Sequence, residues 1–492
     1  MQIKKYLSYI PVLLMGAILL TGCKRMLDMT PKDEFSPGTV LTNTAGMKAL
    51  LFSSYAGIQS QPNYRFSLNF AEVCTDVAFN TGGNENLIYT QFINFTWDPS
   101  VGQFAGICWT PYYSAIRDAN LVLENIESVS DASESLKKQF IAEARFLRAY
   151  AYTQLYNYFG TVPLRTSSAE AITLPRAEES QLKAFVETEL NACVSDLPDP
   201  GKEEAFGRAT KGVALATLAK FLLNTREWQK AADAAQRLID INYYSLYPVF
   251  KDMFKVEHEG NKEMIWVVPC TNAKVNLGNW FPSGAMPVGF KTSDQLPEYV
   301  WTSAIQNFAT KYKLRDAFVK TFDTTDKRYT IVLRKYVNNA NKVIDLTTTP
   351  NSTCSMKYFD NNGLKNESGN DIPLLRYADI LLTKAEALNE LSGVPSEEAF
   401  RLVNQVRTRA GIGDLNLVNT PTKEAFRDAI LRERGWEFIS EGKRREDLVR
   451  QNKFVSSALQ RGVVNAKPEH VLFPIPQAEI DANPEIVQNK GY

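Results

Sequence analysis

Histidine is almost absent: His258 and His470 are the only two in 492 residues, far apart and outside any HExxH, HxH or CxxC setting. That excludes a histidine-built metal centre and the zinc-hydrolase chemistry that depends on one. A surplus of charge of one sign is missing too, since 55 Lys+Arg balance 55 Asp+Glu. A phosphate-neutralising surface needs a basic excess, so nucleic acid is not the expected partner. Beyond residue 22 no apolar run approaches the roughly 18 residues that would span a bilayer. Cysteines are few. Besides Cys23 there are Cys74, Cys108, Cys193, Cys270 and Cys354, an odd set without short spacings. They read as buried small hydrophobes and not as a disulfide framework. What is present is 44% hydrophobic residues, enough at this length for a full core, and 11% aromatics. Those aromatics suit large packed helices or a stacking surface for ligands.

The N-terminus has its own grammar. Lys4 and Lys5 form a positive start, and Tyr6 to Leu20 is an apolar stretch broken by Pro11. It is too short to cross about 30 Å of hydrocarbon. It closes on Leu20, Thr21, Gly22 and Cys23, small residues before a cysteine, which resembles the bacterial lipobox. Residues 1–22 are therefore expected to be a lipoprotein signal peptide. Cys23 would be the lipidated residue, and the mature protein would be tethered by lipid rather than spanning.

Helical blocks alternate with loop-rich stretches. Phe140, Ala144, Leu147, Ala151, Leu155 and Tyr158 recur at steps of three or four between Ser133 and Gly160, one face of a long helix. Tyr112, Ile116, Leu121 and Ile126 mark an antiparallel partner joined by a short polar link. Gln181–Val194 with Arg208–Leu223, then Trp228–Ile241, continue the pattern. Leu374–Leu391 pairs with Glu397–Ala410, and Thr420 and Pro421 start a last helix running to about Glu441. The expected fold is mainly α: a tetratricopeptide-like scaffold of helical hairpins at about 40–60, 106–240 and 373–452. No strict period of about 34 residues is visible, so the units are degenerate. Long loop-rich inserts occupy about 61–105, 242–300 and 323–371, with a few short strands such as Met264–Pro269 and Tyr329–Tyr336. Pro468, Pro474, Pro476 and Pro484 keep the C-terminal stretch extended.

These residues together resemble the SusD/RagB group of Bacteroidetes outer-membrane lipoproteins. The resemblance runs in order from Cys23, Leu27, Asp28 and Pro31 through Trp109, Tyr112, Tyr113, Ile116, Ala119 and Asn120. Ala142 to Tyr150, then Tyr158, Gly160 and Val162 to Leu164 follow, and after them Arg208, Thr210, Lys211 and Ala214. The most diagnostic run is Leu375 to Leu382 with Ala385 to Ala387, then Asn404, Val406, Arg407, Arg409 and Ala410. Glu433, Arg434, Glu437, Glu441, Gly442, Arg444, Asp447, Leu448 and Arg450 come next, and Phe473 to Pro476, Asn483, Pro484, Gln488, Asn489, Gly491 and Tyr492 close it. One departure is Lys24 and Arg25, where many surface lipoproteins of the phylum place acids.

The resemblance implies a single domain over 23–492 that is a surface nutrient-binding lipoprotein without catalytic residues. Such a protein captures oligosaccharide and delivers it to a SusC-like TonB-dependent transporter. It also implies an outer-membrane location, lipid-anchored and facing outward. No cofactor and no metal is expected. The alternatives are a peptide or other non-glycan nutrient binder on the same scaffold, or a surface glycoside hydrolase.

The acids and bases of the helical motifs read as a fold-holding ion network at i,i+3 and i,i+4 spacings, as in Glu441 with Arg445. Ligand contacts belong to the inserts, because a sugar offers an apolar C–H face to a flat aromatic and a rim of hydroxyls to polar neighbours. The candidates are Trp280 and Phe281 beside Asn279, with Tyr64, Asp76, Asn80 and Tyr89 in the first insert. Trp97 and Trp109 are assigned to packing.

Overall fold

The computed structural model describes residues 41–60, 68, 70–80, 86–274, 276–307 and 311–492. Cys23, the signal segment and Tyr64 lie outside the described residues.

Helices dominate: α1 Thr44–Ile58, α2 Asn86–Asn94, α3 Thr110–Asn125, α4 Glu134–Phe159, α5 Glu179–Cys193, α6 Lys211–Asn224 and α7 Trp228–Asp240. After a loop-rich middle come α8 Phe281–Ala285, α9 Tyr377–Leu391, α10 Glu397–Ala410, α11 Lys423–Glu437 and α12 Arg444–Arg450. The long helix α4 begins where Ser133 accepts a hydrogen bond from the Leu136 N–H at 3.3 Å, satisfying an otherwise orphaned donor. It ends at Gly160, whose φ of 74° suits glycine. Successive helices pack as hairpins, α3 on α4, α4 on α5, α6 on α7, α7 on α9 and α9 on α10. This is the tetratricopeptide-like scaffold the periodicity predicts. Cys74, Cys108, Cys193 and Cys354 are buried free thiols and Cys270 is half-buried.

The strands are short: β1 Ala78–Asn80, β2 Met264–Val268, β3 Phe290–Thr292, β4 Tyr312–Leu314, β5 Val332–Leu333, β6 Lys335–Asn338, β7 Val343–Asp345, β8 Cys354–Ser355 and β9 Ile372–Arg376. The last corrects the sequence expectation, which carries the helix back to Leu374. Residues 372–376 are fully buried and extended, paired antiparallel with β2 through Trp266 opposite Leu375 and Val267 opposite Pro373. Pro373 suits an extended backbone, and helix α9 starts only after Arg376. Two other expectations shift. Thr422, not Thr420, caps α11, accepting from the Ala425 N–H at 3.1 Å, and that helix stops at Glu437. Tyr329–Tyr336 is not one strand but a 3-10 turn over Lys327–Ile331 followed by β5 and β6.

The C-terminal stretch returns to the first half of the chain. Phe473 donates its N–H to the Tyr158 carbonyl at 2.8 Å and packs among Phe92, Phe104 and Tyr158. Trp97 Nε1 donates to the Tyr492 hydroxyl at 2.8 Å. Trp97 and Trp109 are each 3% exposed, in keeping with a packing role.

The charged motif residues form a network mostly by tertiary pairing, with Arg450 and Asp447 as an i,i+3 pair within it. Arg376 reaches Glu263 at 2.6 Å, Glu437 at 2.9 Å and Glu441 at 2.7 Å. Arg409 bonds Glu263 and Glu437, Arg328 bonds Asp326, Glu433 and Glu437, Arg407 bonds Glu433, and Lys357 bonds Glu441. The expected Glu441–Arg445 pair does not form. Glu441 is taken by Arg376 and Lys357, while Arg445 donates to the carbonyls of Asn157 and Val471. A second group joins Arg434 to Asp379 and Asp447, and Arg450 to Glu386 and Asp447.

Removing one partner of such a buried pair strands the other, so Arg376→Met should cost about 3–5 kcal/mol in equilibrium denaturant unfolding. A loss below about 1 kcal/mol would overturn that role. The network also sets acid stability. Burial pushes Asp379 and Glu437 upward, but Lys220 and Arg434 beside the first, and Arg409, Arg376 and Arg328 beside the second, hold both far below the usual carboxylate range. A depressed carboxylate contributes stability above its unfolded value of about 4 and loses it as pH falls. The unfolding midpoint should therefore drop steeply below about pH 4; a midpoint unchanged down to pH 3 would contradict the ionised network.

Candidate functional site

The inserts are loops by composition, and one short strand organises them. Strand β4 lies in 301–322, between the second and third inserts as read from sequence. It pairs antiparallel with β1 of the first insert, placing Phe79 opposite Lys313 and Asn80 opposite Tyr312. From the second insert, the Gly284 carbonyl accepts the Lys311 N–H at 2.8 Å. From the third, the Thr353 carbonyl accepts the Leu314 N–H at 2.9 Å, and the Asn351 side chain accepts the Asp316 N–H at 2.8 Å. Three stretches distant in sequence thus meet on one strand and form a common face.

Alternation along this pair sorts the side chains. Ala78, Asn80, Tyr312 and Leu314 turn inward and are buried, whereas Phe79 and Lys313 stand half-buried on the other side. The Arg315 guanidinium lies 5.4 Å from the Phe79 ring centre, held by the carbonyls of Thr75 at 3.0 Å and Ala78 at 3.1 Å. Burial lowers Arg315 to about 10, which still leaves it charged at neutral pH. The face therefore offers a cation, an aromatic edge and an ammonium group close together.

The second insert contributes Trp280. The loop before it is clamped by Glu367, whose carboxylate accepts the N–H groups of Asn276 at 3.0 Å and Gly278 at 2.6 Å. A Cβ at position 278 would lie 2.8 Å from the Glu367 Cα, so only glycine fits this approach. Asn279 then locks the turn. It is 1% exposed, donates to the Asn370 carbonyl at 3.2 Å and accepts the Phe281 N–H at 3.0 Å. Trp280 follows half-buried, at the start of α8.

The expected Trp-Phe platform is only half right in its premise. Phe281 is buried at the start of α8, edge-on to Tyr312 at 5.0 Å and Tyr358 at 5.6 Å. It is a core residue, because the five-residue helix supplies the packing face that a loop reading omits. Asn279 is equally structural. In the first insert Asn80 and Tyr89 are buried, so neither offers a free surface, and Tyr89 sits inside α2. Asp76 is bound bidentate by Arg444 at 2.8 and 2.7 Å. Burial pushes its carboxyl up, and Arg444 pulls it below the ordinary range. It ties the insert to α12 instead of facing a ligand.

Among the sequence candidates that fall within the described residues, Asp76 and Trp280 are half-buried, and Asp76 is taken by Arg444. Sequence reasoning missed Phe79, Lys313, Arg315 and Trp301. Trp301 is half-buried over a Tyr299–Phe359 stack with centroids 4.7 Å apart, and its Nε1 donates to the Ile305 carbonyl at 3.0 Å. The alternation in Tyr312-Lys313-Leu314 is the signal that marks this strand.

Comparison with known proteins fits this architecture. A family model described as "Starch-binding associating with outer membrane" matches residues 27–223, and one described as "SusD family" matches 262–492. The chain is 27% identical to SusD-like protein P25 of Formosa agariphila, aligning 96% of this chain with 97% of that one. It is 24% identical to the starch-binding protein SusD of Bacteroides thetaiotaomicron, with 96% of each covered. The fold superposes on a laminarin-binding SusD-like protein with a TM-score of 0.76 and 25% identity, over 92% of this chain and 100% of that one. With both matched segments in order and full-length relatives on either side, the chain belongs to the SusD/RagB family.

Proposed function

We propose that this protein binds oligosaccharide at the face built on β4 and passes it to a TonB-dependent transporter of the outer membrane, without cleaving it. The observation that carries the reading is likeness over nearly the whole chain to proteins named for laminarin and starch binding. The local chemistry supports it: Trp280 offers an aromatic surface to a sugar's C–H face, and Lys313 and Arg315 lie on the same assembly as donors to hydroxyls. The motif acids argue for a binder over a hydrolase. Glu263, Glu433 and Glu437 are 0% exposed and Asp379 is 0% exposed, each held by a base, so they do not reach a glycosidic bond. Lipidation at Cys23 and display outside the cell complete the proposal.

Calorimetric titration of the soluble chain against β-glucan, α-glucan and mixed peptide pools tests the ligand class. Heat with a glycan is the expected result, and heat with peptides alone would transfer the protein to peptide capture. Trp280→Ala should weaken glycan binding by about tenfold or more, the usual scale for an interfacial tryptophan, with an unchanged circular dichroism spectrum. Full affinity in that variant would remove Trp280 from the site. Gentle detergent extraction from the native host should co-purify a large β-barrel protein; recovery of this chain alone would count against the transporter.

A further inference from the structure

A cleft of about 490 Å³ opens in the β3–β6–β7 region, away from the motif residues, and its lining includes Asp294, Gln295, Tyr329, Arg334, Tyr336 and Thr347. Arg334 sets its chemistry. The other buried or half-buried arginines named above reach carboxylates or carbonyl oxygens. The Arg334 guanidinium, by contrast, makes no ion pair and no hydrogen bond among the described residues, and its Nε is buried without a partner. An unpaired buried donor on a cation is costly unless something occupies it.

This cation is held in place. Its guanidinium carbon lies 4.1 Å from the centre of the Tyr329 ring. Tyr329 stacks on Phe322 at 5.4 Å and 21°, and Phe322 packs on Trp436 at 5.9 Å. The backbone beneath is clamped as well. Gln295 Oε1 accepts the N–H groups of Arg334 at 2.7 Å and Lys335 at 3.2 Å, while its Nε2 donates to the Val332 carbonyl at 2.7 Å. The adjacent Lys335 is paired with Asp345 at 2.9 Å, and Thr347 hydrogen-bonds the same Asp345. Asp345 is thus engaged by its own neighbours. Asp294 is exposed and makes no ion pair with Arg334. A planar donor fork, rigidly backed by an aromatic stack and lacking an acid, matches the bidentate geometry of a carboxylate or sulfate group.

We propose that this cleft is a subsite for an acidic sugar, with Arg334 bonding a carboxylate or sulfate ester and Asp294 accepting a ring hydroxyl. The inference rests on the oligosaccharide-binding reading and narrows it to glycans that carry anionic residues.

The test uses an oligosaccharide array in which each backbone is present in acidic and neutral form. Uronic-acid oligomers are set against their methyl esters, and sulfated oligomers against their desulfated counterparts. Wild-type protein should bind at least one acidic member about tenfold or more tightly than its neutral partner, with the ratio shrinking as salt is raised. The esterified pair reports on carboxylate and the desulfated pair on sulfate. Arg334→Gln should bring the acidic-to-neutral ratio close to one. Should that variant not fold, Arg334→Lys, which keeps the charge and loses the fork, should reduce the ratio severalfold. Equal binding of acidic and neutral forms, or an unchanged ratio in the variants, overturns the acidic subsite and leaves glycan binding standing. Absence of binding to every member, neutral and acidic, brings down both.

Discussion

The ion cluster around Arg376 is the constraint on which the rest of the structure depends. Arg328, Arg376, Arg407, Arg409 and Lys357 face Asp326, Glu263, Glu433, Glu437 and Glu441, one acid for each base. Isolated charges at this depth would be prohibitively desolvated, and the cluster exists because each charge is matched and hydrogen-bonded. Burial, reinforced by the neighbouring Arg376 charge, lowers Lys357 to about 8 even beside Glu441, which marks how dry the place is. Glu72 extends the cluster into the first insert. Its carboxylate accepts the N–H groups of Glu441 at 3.0 Å and Gly442 at 2.8 Å, and the Tyr312 hydroxyl of β4 donates to it. Among the described residues no arginine pairs with it, and burial raises it to about 7. The strand that gathers the inserts is thereby tied to the charged centre of the helical scaffold.

Local features were legible in the sequence, and features created by distant pairing were not. Ser133 and Gly160 bound α4 as a cap and a left-handed stop should, because both act within one turn. Met264–Val268 is the strand its composition suggests. Leu374 and Leu375 look helical by period because they precede a true helix. Their extended state depends on a partner strand more than one hundred residues earlier, which no local window contains. The ion pairs failed in the same manner: the spacing of Glu441 and Arg445 allows a bond that competition from Arg376 removes. The family's charged motifs are thus visible as composition, while their wiring is a property of the assembled core.

The candidate site was legible by class and not by residue. Asparagine and aromatic enrichment does mark stretches that converge on one face. Yet Phe281, Asn279, Asn80 and Tyr89 use those same side chains to build the loops, since a long insert must bury some apolar area and satisfy its own backbone to hold a shape. Which aromatic is left facing outward is decided by what remains after that internal demand is met. Lys313 and Arg315, by contrast, carry no aromatic signal and matter because β1 brings Phe79 to them.

The closing stretch from Ala466 to Tyr492 has a consequence for the order of folding. Phe473, His470 and Tyr492 complete a nest with Phe92, Phe95, Phe104 and Trp97, residues that lie almost four hundred positions earlier. Until that stretch arrives, the aromatic pocket beside α4 has an open side. In a chain that emerges N-terminal end first, that side of the pocket stays unfilled until the last residues are present.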